Sequence, residues 1–382
     1  MPMIRIPAEF TFQQCERVLD ALEGAPHEPQ LVLPTNARHA HIGGSAAVAQ
    51  VLGTWAQRNQ TNLVTFAEDN AQITDLISRL HGVVAALYSS SVASLGSKQN
   101  LTEQMFTAAV ERLDRMQGVE PLRSRGMVFE LLCADHLARS RPKLFYRQIS
   151  STETQIRDPK EFASIVERVG NIVLPEGYRA RAEAEQHEAI GGLIYEIFKN
   201  TEDHAMFDHL GNKLRRSVRG VTFRHHLLLP KELSKLAGDL GALHAFCERT
   251  HPPILGAQKL RLLEFSVFDS GPGYASRLLG RELHSMSLDE EFAAVQKCFQ
   301  TGVSTKKDTA YGQGLPLVMQ LLRKHKGFIR LRSGRLSLCA DPSTHNDEST
   351  DPRLRDICGA AEPVRRAPVQ GVLITIILPM RK

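Results

Sequence analysis

Glu196, Asn200 and Asp203 stand at i, i+4 and i+7 in the segment His187–Ala205. At about 100° per residue these three share one helix face. Ile190, Leu193, Ile194, Ile197 and Phe198 form an apolar stripe about a third of a turn away. One helix can therefore bury its stripe and offer carboxylate, carboxamide and carboxylate to a pocket. The residue types suit phosphate chemistry. An Asn carbonyl oxygen is a neutral hard ligand for Mg²⁺, which keeps waters and shares phosphate oxygens. A Glu one turn earlier can take a proton from an attacking water or hydroxyl. The plain alternative is a solvated polar helix face.

Three further segments add parts. Leu260–Phe268 is a β-favouring run that ends at Asp269-Ser-Gly-Pro-Gly. A carboxylate fixed at a strand end can accept from an adenine amino group, and Gly271 and Gly273 let backbone approach the base. An ordinary turn would have the same composition. Gly312 and Gly314 precede a helix whose Leu315, Val318, Met319, Leu321 and Leu322 point inward. A glycine-rich entry to a helix N-terminus offers unpaired N–H groups to phosphate. Just before it, Ser304, Thr305, Lys306 and Lys307 would form a mobile lid. There Lys306 or Lys307 could meet phosphate or simply be solvated. Gly371–Pro379 reads as a buried strand able to pair antiparallel with Phe328–Arg332 across a long loop.

The order Glu-x-x-x-Asn, Asp-x-Gly-x-Gly, Gly-x-Gly-Leu, Gly…Leu-Pro resembles the signature of the GHKL superfamily of gyrase B, heat-shock chaperone, histidine kinase and MutL ATP sites. The resemblance covers about residues 160–382. It implies an α+β two-layer sandwich of the Bergerat type, binding ATP with Mg²⁺. By it, Glu196 would be the general base, Asn200 the Mg²⁺ ligand and Asp203 a residue near the nucleotide. Asp269 would bind adenine. Gly271, Gly273, Ser304, Thr305, Gly312, Gly314 and Leu315 would build the base loop, lid and phosphate loop. One departure stands out: the last strand opens Gly371-Val372 where the superfamily has Gly-Thr. The resemblance implies ATP hydrolysis coupled to lid closure or dimerisation. Its alternatives are Ser/Thr phosphorylation of the anti-sigma-factor-kinase type, histidine phosphotransfer, and nucleotide binding without turnover. His136 and His187 lack the upstream-helix context that histidine phosphorylation needs.

Other elements must position these groups. Residues 1–95 alternate strand-like and helix-like segments, which implies an α/β layer. The order resembles a STAS domain, whose phosphorylatable Ser would fall near Ser45. The family's Asp-Ser pair is missing, and a plain helix-start serine is the alternative. Residues 96–160 read as a helical connector, with helices over Ala108–Met116 and Met127–Ala138. The domain at 161–382 holds an added strand near Val221–Leu229 and a helix near Leu233–Cys247. Ala340–Gln370, rich in Asp, Pro, Ser, Thr and Arg, reads as a long, partly disordered surface loop.

Bulk properties set the outer limits. The chain of 382 residues is 42% hydrophobic and 23% charged, with 47 basic and 42 acidic residues and a net charge of +5. That balance does not indicate nucleic acid. No stretch reaches the roughly 20 apolar residues of a membrane span, and no signal peptide is visible. Six cysteines without a C-x-x-C pair fit free thiols in a reducing cytoplasm. Partners beyond ATP, a protein client or a second copy, are left open.

Overall fold

The computed structural model describes residues 2–25, 28–35, 41–58, 61–124, 127–175, 184–229, 232, 240–250, 259–300, 314–344 and 352–380. The chain begins with β1 (Met3–Arg5), α1 (Phe12–Glu23), β2 (Gln30–Leu33), α2 (Gly44–Trp55), β3 (Asn62–Thr65), α3 (Asn70–Ile77), α4 (Leu80–Tyr88) and β4 (Ser91–Ser94). These four strands are parallel and ordered β1-β2-β3-β4. Parallel neighbours need crossovers, and helices fill each gap. Thr11 caps α1 by accepting from the Gln14 N–H at 3.0 Å, and the stripe Phe12, Cys15, Val18, Leu19 and Leu22 is buried.

The rest of the chain runs α5 (Thr102–Met116), β5 (Arg123–Ser124), β6 (Val128–Ala134), β7 (Tyr146–Gln148), β8 (Thr154–Ile156), α6 (Pro159–Val173), α7 (Ala184–His204), β9 (Val218–Leu228), α8 (Gly241–Thr250), β10 (Leu260–Phe268), α9 (Tyr274–Leu279), α10 (Leu288–Cys298), α11 (Gly314–Lys324), β11 (Phe328–Gly334), β12 (Leu336–Ala340), β13 (Arg355–Asp356) and β14 (Val369–Pro379). Eight of its strands make one antiparallel sheet, β13-β12-β11-β14-β10-β9-β6-β5. The fold is thus mixed, with a parallel and an antiparallel sheet.

Two expectations need correction. Residues 127–138 are not a helix: β6 pairs along its length with β9. All seven of its residues are buried. A strand covered on both faces loses the alternation that marks strands, and its apolar run reads like a helix stripe. The stretch expected as a helical connector therefore supplies strands to the large sheet. Residues 340–370 are not simply a surface loop either. Leu354, Ile357 and Ala367 are buried, and Asp356 ends β13 with its carboxylate accepting from the Cys358 and Val364 N–H groups, each at 2.9 Å. The expected pairing of β11 with β14 is present. Of the expected helix over 233–247, residues 241–247 begin α8, while 233–239 lie outside the described residues.

Both faces of the large sheet are covered. On one, α6, α7, α10 and α11 share an apolar core with it. On the other lies α2, apolar all round and buried at every residue except Thr54. Such a helix must be enclosed on all sides. A single core runs from Leu31 and Leu63 through α2 to Leu132, Phe268 and Leu373. Ser45 is 7% exposed in its first turn. A modifying enzyme has no access to it in this conformation. The layers are also tied by charge: Arg332, buried on β11, donates Nε to Glu16 Oε1 at 2.9 Å and Nη2 to Oε2 at 3.0 Å. A bidentate pair of this kind fixes orientation as well as contact. No helix among the described residues is long and apolar enough to cross a membrane.

A shared core predicts shared unfolding. Trp55, the only tryptophan, is fully buried in α2 and reports the N-terminal layer, whereas far-ultraviolet dichroism reports the whole chain. The two signals should give coincident urea midpoints. An earlier tryptophan midpoint would mean that the layer melts on its own.

Candidate functional site

The stripe expected on α7 is buried, with Ile190, Leu193, Ile194, Ile197 and Phe198 each 3% exposed or less. The far end of the helix is anchored by charge. Glu202 lies 2.7 Å from Arg219 of β9, and Asp135 lies 3.2 Å from it. Arg219 is fully buried, so two carboxylates and the Tyr146 hydroxyl, 2.9 Å away, replace its lost water. This network sets how α7 is rolled against the sheet.

Opposite α7, β10 ends at Phe268 and the chain turns through Asp269-Ser-Gly-Pro-Gly. Asp269 Oδ1 accepts from the Gly271 N–H at 2.8 Å and the Val372 N–H at 3.3 Å. The Asp269 N–H donates to Val372 O at 3.0 Å, and the Gly371 N–H to Gly271 O at 2.7 Å. Gly371 has φ +72°, and a Cβ there would fall 1.9 Å from Asp269 O. At Gly271 a Cβ would fall 3.1 Å from Ala205 Cα, at the end of α7. Glycine at both positions lets the turn lie between β14 and the helix. Oδ2 of Asp269 makes no hydrogen bond with the described residues.

Between helix and turn opens a solvent-open cleft. Asn200, Asp269, Gly271 and Gly273 all line it. Glu196 and Gly314 do not line it; Glu196, one turn before Asn200, meets the start of α11, where a Cβ on Gly314 would lie 2.6 Å from Glu196 Oε2. Neither Glu196 nor Asn200 makes a side-chain hydrogen bond with the described residues. The helix is rolled from the expected orientation. Its cleft face is Ile197, Asn200, Thr201 and His204, with Asn200 at one edge. Asp203 falls beyond that edge, within electrostatic reach of Lys199, and does not line the cleft. Leu315 is buried in the core beneath α11, not at the cleft. Ser304, Thr305 and Gly312, with Lys306 and Lys307, lie outside the described residues.

The structure adds groups that sequence reasoning missed. Thr201, His204, Tyr274 and Arg277 line the cleft. His204 had a signal, since it stands four residues after Asn200. Arg277 had none until α9 brought it back over the turn. Its Nε is buried without a hydrogen-bond partner among the described residues. The cleft thus has a cation of its own.

Burial shifts both acids the same way. Burial raises the Asp269 carboxyl to about 6, against the opposing pull of the Gly271 and Val372 N–H groups. Burial also raises Glu196 above the usual carboxylate range, and Lys199 pulls it back. Both acids are therefore better proton acceptors than free carboxylates, as a base at neutral pH should be. No group of three His, Cys, Asp or Glu side chains among the described residues could hold a metal alone. The unbonded Asn200 carboxamide still fits a cation whose other ligands are phosphate and water oxygens. No family profile, curated protein or solved structure matches the chain.

Gly371→Ala tests the build of the turn. The added methyl would collide with Asp269 O, in a backbone region that alanine resists. The expected loss is about 3 kcal/mol or more in urea unfolding. Wild-type stability would show that the turn is not held this way.

Proposed function

We propose that the cleft binds ATP with Mg²⁺ as GHKL proteins do, and that the protein hydrolyses it with Glu196 as general base. The observation that carries this reading is the meeting of Asn200 with Asp269, Gly271 and Gly273 around one cleft. Those residues come from separate segments, and Glu196 stands one turn along α7, against the start of α11. The large sheet with α6, α7, α10 and α11 on one face fits the two-layer sandwich of that superfamily. The N-terminal layer is STAS-like in its alternation of strand and helix.

Each side chain then has a task. Oδ2 of Asp269 accepts from the adenine amino group. Arg277 supplies positive charge to the anionic nucleotide. Asn200 Oδ1 would hold Mg²⁺ together with phosphate oxygens. When bound, Mg²⁺ neutralises phosphate charge. Glu196 takes a proton from water as the water oxygen bonds to the γ-phosphorus and the bridging bond to ADP breaks. The start of α11 at Gly314 presents N–H groups on the phosphate side.

Glu196→Gln should keep ATP affinity within about threefold and slow phosphate release by about 100-fold or more. The assay uses γ-labelled ATP on the full chain. Wild-type turnover by the variant would remove Glu196 as base. Label retained on protein would replace hydrolysis by a kinase reaction, alkali-labile for Ser and acid-labile for His.

Asp269 also sets a pH dependence. The adenine amine needs an ionised acceptor, and protonation sets in as pH falls through about 6. ATP affinity should hold from pH 8 to 7, then fall about tenfold per unit well below that value. Asp269→Asn should bind ATP about 10- to 100-fold more weakly at pH 7.5 and lose this dependence. An unchanged affinity down to pH 5 in the wild type would contradict the assignment.

A further inference from the structure

Tyr88 closes α4 in the N-terminal layer, yet its hydroxyl reaches the turn that carries Asp269. Its Oη lies 2.5 Å from Ser270 Oγ. Ser270 Oγ in turn donates to Val218 O at 2.6 Å. The Val218 N–H reaches both oxygens, each at 3.1 Å. Because the Ser270 proton is committed to Val218, Tyr88 is the donor to Ser270. Burial pushes its phenol well above the usual range, so it remains a donor at any working pH. The Tyr88 carbonyl is held as well. It accepts from Thr61 Oγ1 at 2.6 Å and from the Arg216 guanidinium.

A second strut runs from α2. Thr54 Oγ1 accepts from the Gln370 N–H at 3.0 Å. Gln370 Nε2 donates to Ser270 O at 2.8 Å and to Gly271 O at 2.7 Å. The Asp269 turn is thus gripped by β14 on one side and by the N-terminal layer on the other.

Local satisfaction does not require the Tyr88 hydroxyl. Without it, Ser270 Oγ and Val218 still bond to each other, and no buried donor is orphaned. What the hydroxyl does fix is the place of Ser270, and so of the carboxylate one residue before it. Small displacements of a recognition group cost far more in binding and catalysis than in folding.

We infer that Tyr88 is a positioning residue for base recognition at Asp269, so that the N-terminal layer sets the purine preference of the cleft. The inference rests on the reading of the cleft as an ATP site. Adenine offers an amino donor where guanine offers a carbonyl acceptor. A well-placed carboxylate therefore favours adenine and repels guanine, and a displaced one discriminates less.

The experiment is calorimetric titration of the full chain with Mg²⁺ and non-hydrolysable ATP or GTP analogues. It uses wild type, Tyr88→Phe, Asp269→Asn and the double variant. Tyr88→Phe should weaken ATP-analogue binding about tenfold and change GTP-analogue binding by less than about twofold, narrowing the preference. In the Asp269→Asn background it should change ATP-analogue binding by less than about twofold, because Tyr88 acts through Asp269. Equal weakening of both analogues, or full additivity in the double variant, would overturn the inference. So would a folded Tyr88→Phe protein with wild-type preference. Should Tyr88→Phe fail to fold, Thr54→Val cuts the second strut and must narrow the preference in the same direction. A wild type that binds neither analogue overturns the cleft reading and this inference with it. A wild type that prefers ATP and an Asp269→Asn variant that loses the preference, beside a Tyr88→Phe variant that keeps it, overturn this inference alone.

Discussion

The ladder between β10 and β14 runs as far as Phe268 and Leu373, and beyond that point the Asp269 turn is held by β14 main-chain groups through three hydrogen bonds. Two are to Val372, and the third reaches Gly271 through Gly371. Every proposed contact to a base depends on this grip. It commits one carboxylate oxygen to backbone and leaves the other without a hydrogen bond among the described residues. It also explains why Gly371 is followed by Val372 without harm to the turn, since the grip uses main-chain groups. The hydroxyl of Thr375, further along β14, bonds Ser266 at 3.0 Å inside the fold. It takes no part in the cleft.

The large sheet is the shared floor of two layers, and this shapes both its sequence and its legibility. Strands covered on both faces bury both of their side-chain sets, so β6 carried no alternation and read as a helix. β14 read correctly because its run is rich in β-branched Val, Ile and Thr and ends in Pro. The amphipathic stripes of α1, α7 and α11 were legible because each has one wet face. α2 was legible as a helix, but not its enclosure, since nothing in a run of Ala, Val and Leu says what will cover the second side. The anchors in the long loop, Leu354 and Ile357, were hidden among polar neighbours.

At the site, spacing carried the information that local rules can carry. Asn200 and Asp269, which line the cleft, were legible because a carboxylate and a carboxamide one turn apart, and an Asp at a strand end before glycines, are visible in one dimension. The roll of α7 about its axis was not. It is set by Arg219 holding Glu202 and Asp135, contacts between distant segments. That roll brings Thr201 and His204 into the cleft and leaves Asp203 outside it. Arg277 and Tyr88 reach the site only through the folding of α9 and the docking of the N-terminal layer.

The most direct test of the nucleotide assignment is a crystal structure with a non-hydrolysable ATP analogue and Mg²⁺. The account predicts the adenine amino group within hydrogen-bond distance of Asp269 Oδ2. It also predicts Mg²⁺ about 2.1 Å from Asn200 Oδ1 and phosphates beside Glu196 near the start of α11. A nucleotide bound elsewhere, or an adenine turned away from Asp269, would contradict it.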